Sequence, residues 1–194
     1  MKPSIHVLYL SGFGNKYDSF RLKALRLWRY KGVSVELVPM RWEGNETFEQ
    51  KVARVDQAID RAKNKKVVLL GESAGGSMVV HMYARRSDDF YKVMTICGKN
   101  ANPGTVGEEY YQRSPAFRTS MEKLDESTSQ LTKSQRQNFV SIYPLYDSVV
   151  PAKDTLLADC KRARLWSFGH LFTIFLALTV LSPIVVAAAA SKRK

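Results

Sequence analysis

The sequence predicts an α/β fold, a three-layer sandwich in which helices cover both faces of a mostly parallel sheet of about six strands. Three observations predict it. Short apolar runs rich in β-branched residues alternate with segments of helical periodicity along residues 5–97 and 138–170. No internal repeat and no Pro/Gly/Ser-rich linker divides the chain. At its centre Val67-Val68-Leu69-Leu70 reads as a buried strand and runs straight into Gly71-Glu72-Ser73-Ala74-Gly75, with a helical pattern starting at once behind it (Met78, Val79, Met82, Tyr83).

That G-x-S-x-G sequence turns up by chance in roughly one chain in fifteen of this length. Its place at a strand-to-helix junction therefore carries more weight than the motif itself. A sharp turn there strains the serine backbone and lifts its hydroxyl clear of the sheet. Small residues are needed two positions to either side, and the helix start offers N–H groups to developing negative charge.

The elements follow in order. Ile5 to Leu10 is the first strand, broken by the glycine-rich loop Ser11-Gly12-Phe13-Gly14-Asn15. Residues 18–30 carry Phe20, Leu22, Leu25, Leu27 and Trp28 on a helix that Gly32 closes. Val33 to Val38 is the second strand, stopped by Pro39. Asn45 or Thr47 caps a helix over 47–63 with Phe48, Val52, Val55 and Ile59 on one face. The central strand and its helix end near Arg85-Arg86-Ser87, and Tyr91 to Cys97 is the fourth strand. Residues 99–137 are polar and broken by Pro103, Gly104, Gly107 and Pro115. Helices over 106–112 and 116–137, forming a small lid on the C-terminal sheet edge, are the expectation there. Asn138 to Tyr143 is a fifth strand, 152–160 a helix and Arg162 to Ser167 a sixth strand.

Size and composition suit one domain with one core: 45% of residues are hydrophobic and 25% charged. The net charge of +12 favours anionic partners. No zinc-finger spacing or RNP-type aromatic motif accompanies it, so no nucleic-acid partner is expected. Cys97 and Cys160 lack a C-x-x-C partner and read as reduced, buried thiols. With no signal-like run before the first strand, the expected location is cytoplasmic. No G-K-[ST] phosphate loop and no H-E-x-x-H is present. Tyr17 takes the place of the third glycine that a dinucleotide fingerprint would need after Gly12 and Gly14. No metal and no cofactor is therefore expected.

Ser73, Asp147 and His170 each follow a predicted strand end, so the topology gathers them on one sheet edge. In that chain order, Ser then Asp then His, the sequence resembles the α/β-hydrolase family. Gly71 to Gly75 is similar to its nucleophile elbow, Asp147-Ser148-Val149-Val150-Pro151 to its acid turn and Gly169-His170 to its histidine loop. Ser11-Gly12-Phe13-Gly14 is similar to its oxyanion loop, with Ser11 where many members carry a histidine. The family's first two antiparallel strands are absent, which makes this a compact version over residues 1–170. The resemblance implies a serine hydrolase of esters or thioesters. Ser73 would be the nucleophile, His170 the base, Asp147 its orienting acid, and the N–H groups of Phe13 and Ala74 the oxyanion donors. Gly12, Tyr17 and Trp42 are the expected substrate-binding residues. A non-catalytic binding protein on the same fold, at a membrane, is the alternative reading.

Leu171 to Ala190 holds no charged residue, and the chain ends Ser191-Lys192-Arg193-Lys194. Twenty such residues can span a bilayer. The run starts directly after His170, Pro183 interrupts it, and basic residues flank both ends, so the expectation is a terminal helix packed on the sheet. Membrane contact through 171–190 is the second reading.

Overall fold

A computed structural model of the chain describes residues 5–28 and 32–191. The predicted closure of the first helix across 29–31, the opening residues 1–4 and the basic end 192–194 lie outside the described residues. Six strands form one sheet: β1 (Ile5–Leu10), β2 (Val33–Val38), β3 (Lys66–Glu72), β4 (Lys92–Ile96), β5 (Phe139–Tyr146) and β6 (Lys161–Phe168). Their spatial order is β2-β1-β3-β4-β5-β6, and every pair is parallel. Parallel neighbours require a crossover between them, and the crossovers here are helices.

The helices are α1 (Asp18–Leu25), α2 (Phe48–Arg61), α3 (Gly75–Arg85), α4 (Glu108–Arg113), α5 (Pro115–Glu122), α6 (Leu124–Gln130), α7 (Lys133–Asn138), α8 (Ala152–Thr155), α9 (His170–Leu178) and α10 (Ser182–Ala190). Thr47 starts α2 with a capping box. Its side chain accepts from the Gln50 N–H while the Gln50 side chain accepts from the Thr47 N–H, so two orphan donors of the first turn are satisfied.

The sheet divides the apolar core in two. On one face Val67 and Leu69 of β3 pack with Val55 and Ile59 of α2, Val79 and Met82 of α3, and Phe117 of α5. On the other, Val68 and Leu70 pack with Trp28, with Ile174 and Leu178 of α9, and with Val185 of α10. Alternate residues of β3 thus serve opposite layers, which is why its sequence is apolar throughout. Trp28 fastens the second layer: fully buried, its indole N–H donates to the Leu178 carbonyl at 3.0 Å.

Several predicted elements come out shorter or broken. The helix expected over 116–137 is three helices, and the later of the two breaks falls where Thr132 forms a second capping box with Gln135 and starts α7. The helix expected over 152–160 stops at Thr155, and Asp159 turns the chain with φ of 64°. The terminal helix expected over 171–190 is the pair α9 and α10, bent by 70°. Pro183 sits in the first turn of α10, where its missing N–H costs nothing; further back it would have broken a continuous helix. No single helix among the described residues is long and apolar enough to cross a membrane.

Candidate active site

β3 ends at Glu72 and α3 begins at Gly75, leaving Ser73 in a two-residue turn with φ of 48°. A non-glycine residue at positive φ is strained and needs its surroundings to hold it there. Three backbone bonds do so. The Ser73 N–H donates to Ile96 O at 3.0 Å, and its carbonyl accepts from the N–H groups of Gly76 at 2.9 Å and Lys99 at 2.8 Å. The flanking glycines are a matter of space. A Cβ on Gly71 would lie 2.5 Å from Gly75 O, and one on Gly75 would lie 2.6 Å from Leu10 O.

The other two polar groups arrive from β5 and β6. Asp147 follows β5 directly, and its Oδ1 accepts from the N–H groups of Val149 and Val150, each at 2.9 Å, closing a tight Asx turn. Gly169, at φ of 83°, donates its N–H to Tyr146 O at 2.8 Å. That bond sets the start of α9 beside the acid turn, so His170 is the first residue of a helix and not part of a free loop. The His170 ring then bridges: Nδ1 lies 2.8 Å from Asp147 Oδ2, and Nε2 lies 2.8 Å from Ser73 Oγ. Burial raises the Asp147 pKa, but the His170 hydrogen bond and charge outweigh it, aided by the Val150 and Val149 N–H groups, and hold the carboxyl below its ordinary value.

The loop after β1 is braced from both sides. Within it the N–H of Gly12 donates to Glu72 Oε1 at 3.1 Å. Glu72, buried immediately before Ser73, also accepts from Tyr9 Oη and from Arg21 Nε, the latter at 2.7 Å. The same Arg21 donates to the carbonyls of Phe13 and Gly14, both at 2.9 Å, and to Asp18 at 2.8 Å. From outside, Glu43 accepts from the N–H groups of Gly14 and Asn15 at 3.1 Å and pairs with Arg113. Among the described residues, the N–H groups of Phe13 and Ala74 have no partner within the protein.

Beside Ser73 and His170 opens a cavity of about 920 Å³. Phe13, Tyr17, Phe20, Leu171, Ile174 and Phe175 give it apolar walls, and Lys16, Glu43 and Arg113 mark its polar end. Phe20 and Phe175 stack on each other in its wall with ring centroids 5.6 Å apart.

Tyr17 therefore stands at the cavity, whereas Trp42 and Gly12 do not line it. Trp42 is fully buried: its indole N–H donates to Ser11 O at 3.0 Å, and its ring packs on Phe117. An apolar ring with one satisfied donor belongs in a core, and that is the correction to its expected role. Gly12 is a packing position, where a Cβ would come 2.8 Å from Ser73 Cβ. The other histidines are occupied elsewhere: His6 bonds Ser34 at 2.7 Å and His81 bonds Ser127 at 3.1 Å. Asp154 is spent on Lys99 at 2.7 Å, and Asp159 lies in a turn and pairs with Arg136.

Sequence reasoning passed over Arg21, Glu43, Tyr110, Arg113 and the α9 wall. Arg21 carried a readable signal. Residues 21, 24, 25 and 28 are the buried stripe of the first helix, and a charge on that stripe needs a buried partner.

One group of donors could in principle take a metal ion: atoms of Cys97, Asp147 and His170 lie within 4.8 Å of one another. The donor set fits poorly. Asp147 and His170 use those atoms on each other, and burial followed by the Asp147 charge pushes the Cys97 thiol well up, away from the thiolate a metal would need.

No protein-family model matches the sequence, and no curated protein sequence matches it. Solved structures do match the fold. A structure from the metagenome-derived lipolytic enzymes LipS and LipT superposes with a TM-score of 0.67 at 13% identity, over 97% of this chain and 93% of that one. Est1E from Butyrivibrio proteoclasticus gives 0.66 at 14%, over 97% and 86%. The thioesterase domain from the curacin biosynthetic pathway gives 0.65 at 12%, over 97% and 92%. The chain has the α/β-hydrolase fold.

Proposed function

We propose that the protein is a serine hydrolase that cleaves a carboxylic ester or thioester through an acyl-enzyme. The observation that carries this reading is the unbroken hydrogen-bonded line from Ser73 Oγ through the His170 ring to Asp147. The structural neighbours named as lipolytic and thioesterase proteins support it.

In this mechanism His170 Nε2 takes the hydroxyl proton as Ser73 Oγ attacks the acyl carbon. Asp147 holds the Nδ1–H tautomer and stabilises the imidazolium. The tetrahedral oxyanion forms between the free N–H groups of Ala74 and Phe13, and losing one such donor costs about 3 kcal/mol of transition-state stabilisation. His170 returns the proton to the leaving alcohol or thiol, and then activates water to release the acid. The acyl chain lies along Phe20, Ile174 and Phe175, while the leaving group faces Lys16 and Arg113. Residues 99–137, the expected lid, supply Tyr110 and Arg113 to that cavity, and their role as a cover belongs to this proposal.

A series of p-nitrophenyl esters of rising acyl length tests the reading. Hydrolysis that peaks at a chain filling the apolar walls and vanishes in Ser73→Ala supports it. Absence of turnover on esters and on acyl thioesters overturns it and favours a binding-only role.

A further inference from the structure

The exposed apolar side chains of this protein are confined to a few segments. Among the described residues, every exposed large hydrophobic side chain falls within residues 17–27, 146–149 or 166–184. Residues 33–145, which carry α2 to α7 and the interior strands, contribute none. Leu171 is 69% exposed, Phe168 65% and Phe172 57%, and such side chains signify where they are contiguous. The exposed side chains of α9, α10 and the turn between them form one surface with Phe20, whereas Trp166 lies on the opposite face of the sheet, because its neighbours Leu165 and Ser167 both face α9. Phe168 is in register with Tyr146 across β5 and β6, Leu171 and Phe175 project from α9, and Phe175 stacks on Phe20 of α1. The cavity beside Ser73 opens on this same surface through Phe20, Leu171 and Phe175. Contiguous apolar patches of this kind mark interaction sites.

Charge identifies the occupant. Across 161–191 there is no acidic residue. The acids carried by the neighbouring segments are spent: Asp18 on Arg21 and Asp147 on His170. Lys16, Lys23, Arg26 and Lys161 are exposed there, and none pairs with a carboxylate among the described residues. A second copy of the chain would bring the same positive charge and be repelled. An anionic lipid surface satisfies both halves, accepting aromatic and aliphatic side chains at its interface and basic ones among its headgroups.

We propose that the α1–α9–α10 face docks peripherally on an anionic lipid bilayer, with the cavity mouth against the membrane. The helices lie along the surface instead of crossing it, because their inner sides are committed to the core through Ile174, Ala177, Leu178 and Val185. This docking does not depend on catalysis, so its failure and the failure of the hydrolase reading are separable.

Co-sedimentation of the full chain with phosphatidylglycerol vesicles and with phosphatidylcholine vesicles tests it, with Ser73→Ala run in parallel. Binding is expected to the anionic vesicles alone, equal in Ser73→Ala, and to fall as salt rises. Phe172 and Val180 do not line the cavity, so F172S/V180S should lower the partition coefficient at least about tenfold while leaving hydrolysis of a soluble short ester unchanged. Protein left in the supernatant with anionic vesicles overturns the proposal. So does a salt-stable dimer by light scattering that the same substitutions dissociate, which would assign the face to a second copy. Resistance to alkaline carbonate extraction overturns the peripheral geometry.

Discussion

Arg21 and Glu72, from the first helix and the last residue of the central strand, form a buried ion pair directly behind the strained serine. The pair does two tasks with one guanidinium. It neutralises a carboxylate that burial would otherwise make costly, and it pins the carbonyls of Phe13 and Gly14, so the peptide presenting the Phe13 N–H is held on both sides. Arg21→Met leaves the Glu72 charge alone in the core and should cost about 3–5 kcal/mol in urea denaturation. Arg21→Lys keeps the charge and loses the fork. It should fold, and ester turnover should drop about tenfold in kcat with KM within about twofold. A fall confined to KM would assign Arg21 to substrate binding instead of to positioning the loop.

Gly12 is tight against the serine for a steric reason, since a Cβ there would come 2.8 Å from Ser73 Cβ and 3.1 Å from Glu72 O. Gly12→Ala must push the loop and the elbow apart. The expected outcome is a stability loss of about 1–3 kcal/mol by thermal or chemical denaturation, with a larger proportional loss of kcat.

Asp147 is held below its ordinary carboxylate pKa by His170 and two backbone N–H groups, which win over the upward push of burial. Its folded pKa lies under its unfolded one, so it stabilises the protein above the unfolded value, and that contribution is lost as pH falls through the folded value. Asp147→Asn should flatten the acid limb of the stability curve and lower kcat at neutral pH by about 10³–10⁴ through the wrong imidazole tautomer.

His81 provides a second pH dependence, away from the site. Burial, then Arg85 and Lys123, lower its pKa to about 4 from an ordinary 6.5. Above 6.5 both folded and unfolded forms are neutral. Below it the unfolded chain takes up a proton that the folded chain refuses, so stability should decline between about pH 6.5 and 4. Allowing for the solvent that reaches the ring, the loss is about 1–2 kcal/mol. His81→Gln should remove that slope in denaturation midpoints measured across the range.

The strands and the elbow were legible because parallel sheets buried on both faces write themselves as apolar runs, and β1, β3 and β4 are such runs. The gathering of Ser73, Asp147 and His170 at one edge followed from strand ends alone, without any knowledge of side-chain direction. What stayed hidden depends on tertiary choices. Trp42 reads equally as pocket or core until Ser11 O and Phe117 are seen against it. The break between α9 and α10 is set by the 70° turn that lets both helices keep an apolar side on the sheet, which Pro183 permits but does not dictate. The stripe of residues 21, 24, 25 and 28 points Arg21 inward, but its partner, 51 positions away, is set by the tertiary fold.

The most direct test of the central claim is fluorophosphonate labelling of the intact chain, read by peptide mass spectrometry. One adduct is expected, on Ser73, lost in Ser73→Ala and also lost in a folded His170→Ala, because the hydroxyl is activated by the imidazole 2.8 Å away. Labelling of Ser73 that persists undiminished without His170, or no labelling of Ser73 in the native chain, would contradict it.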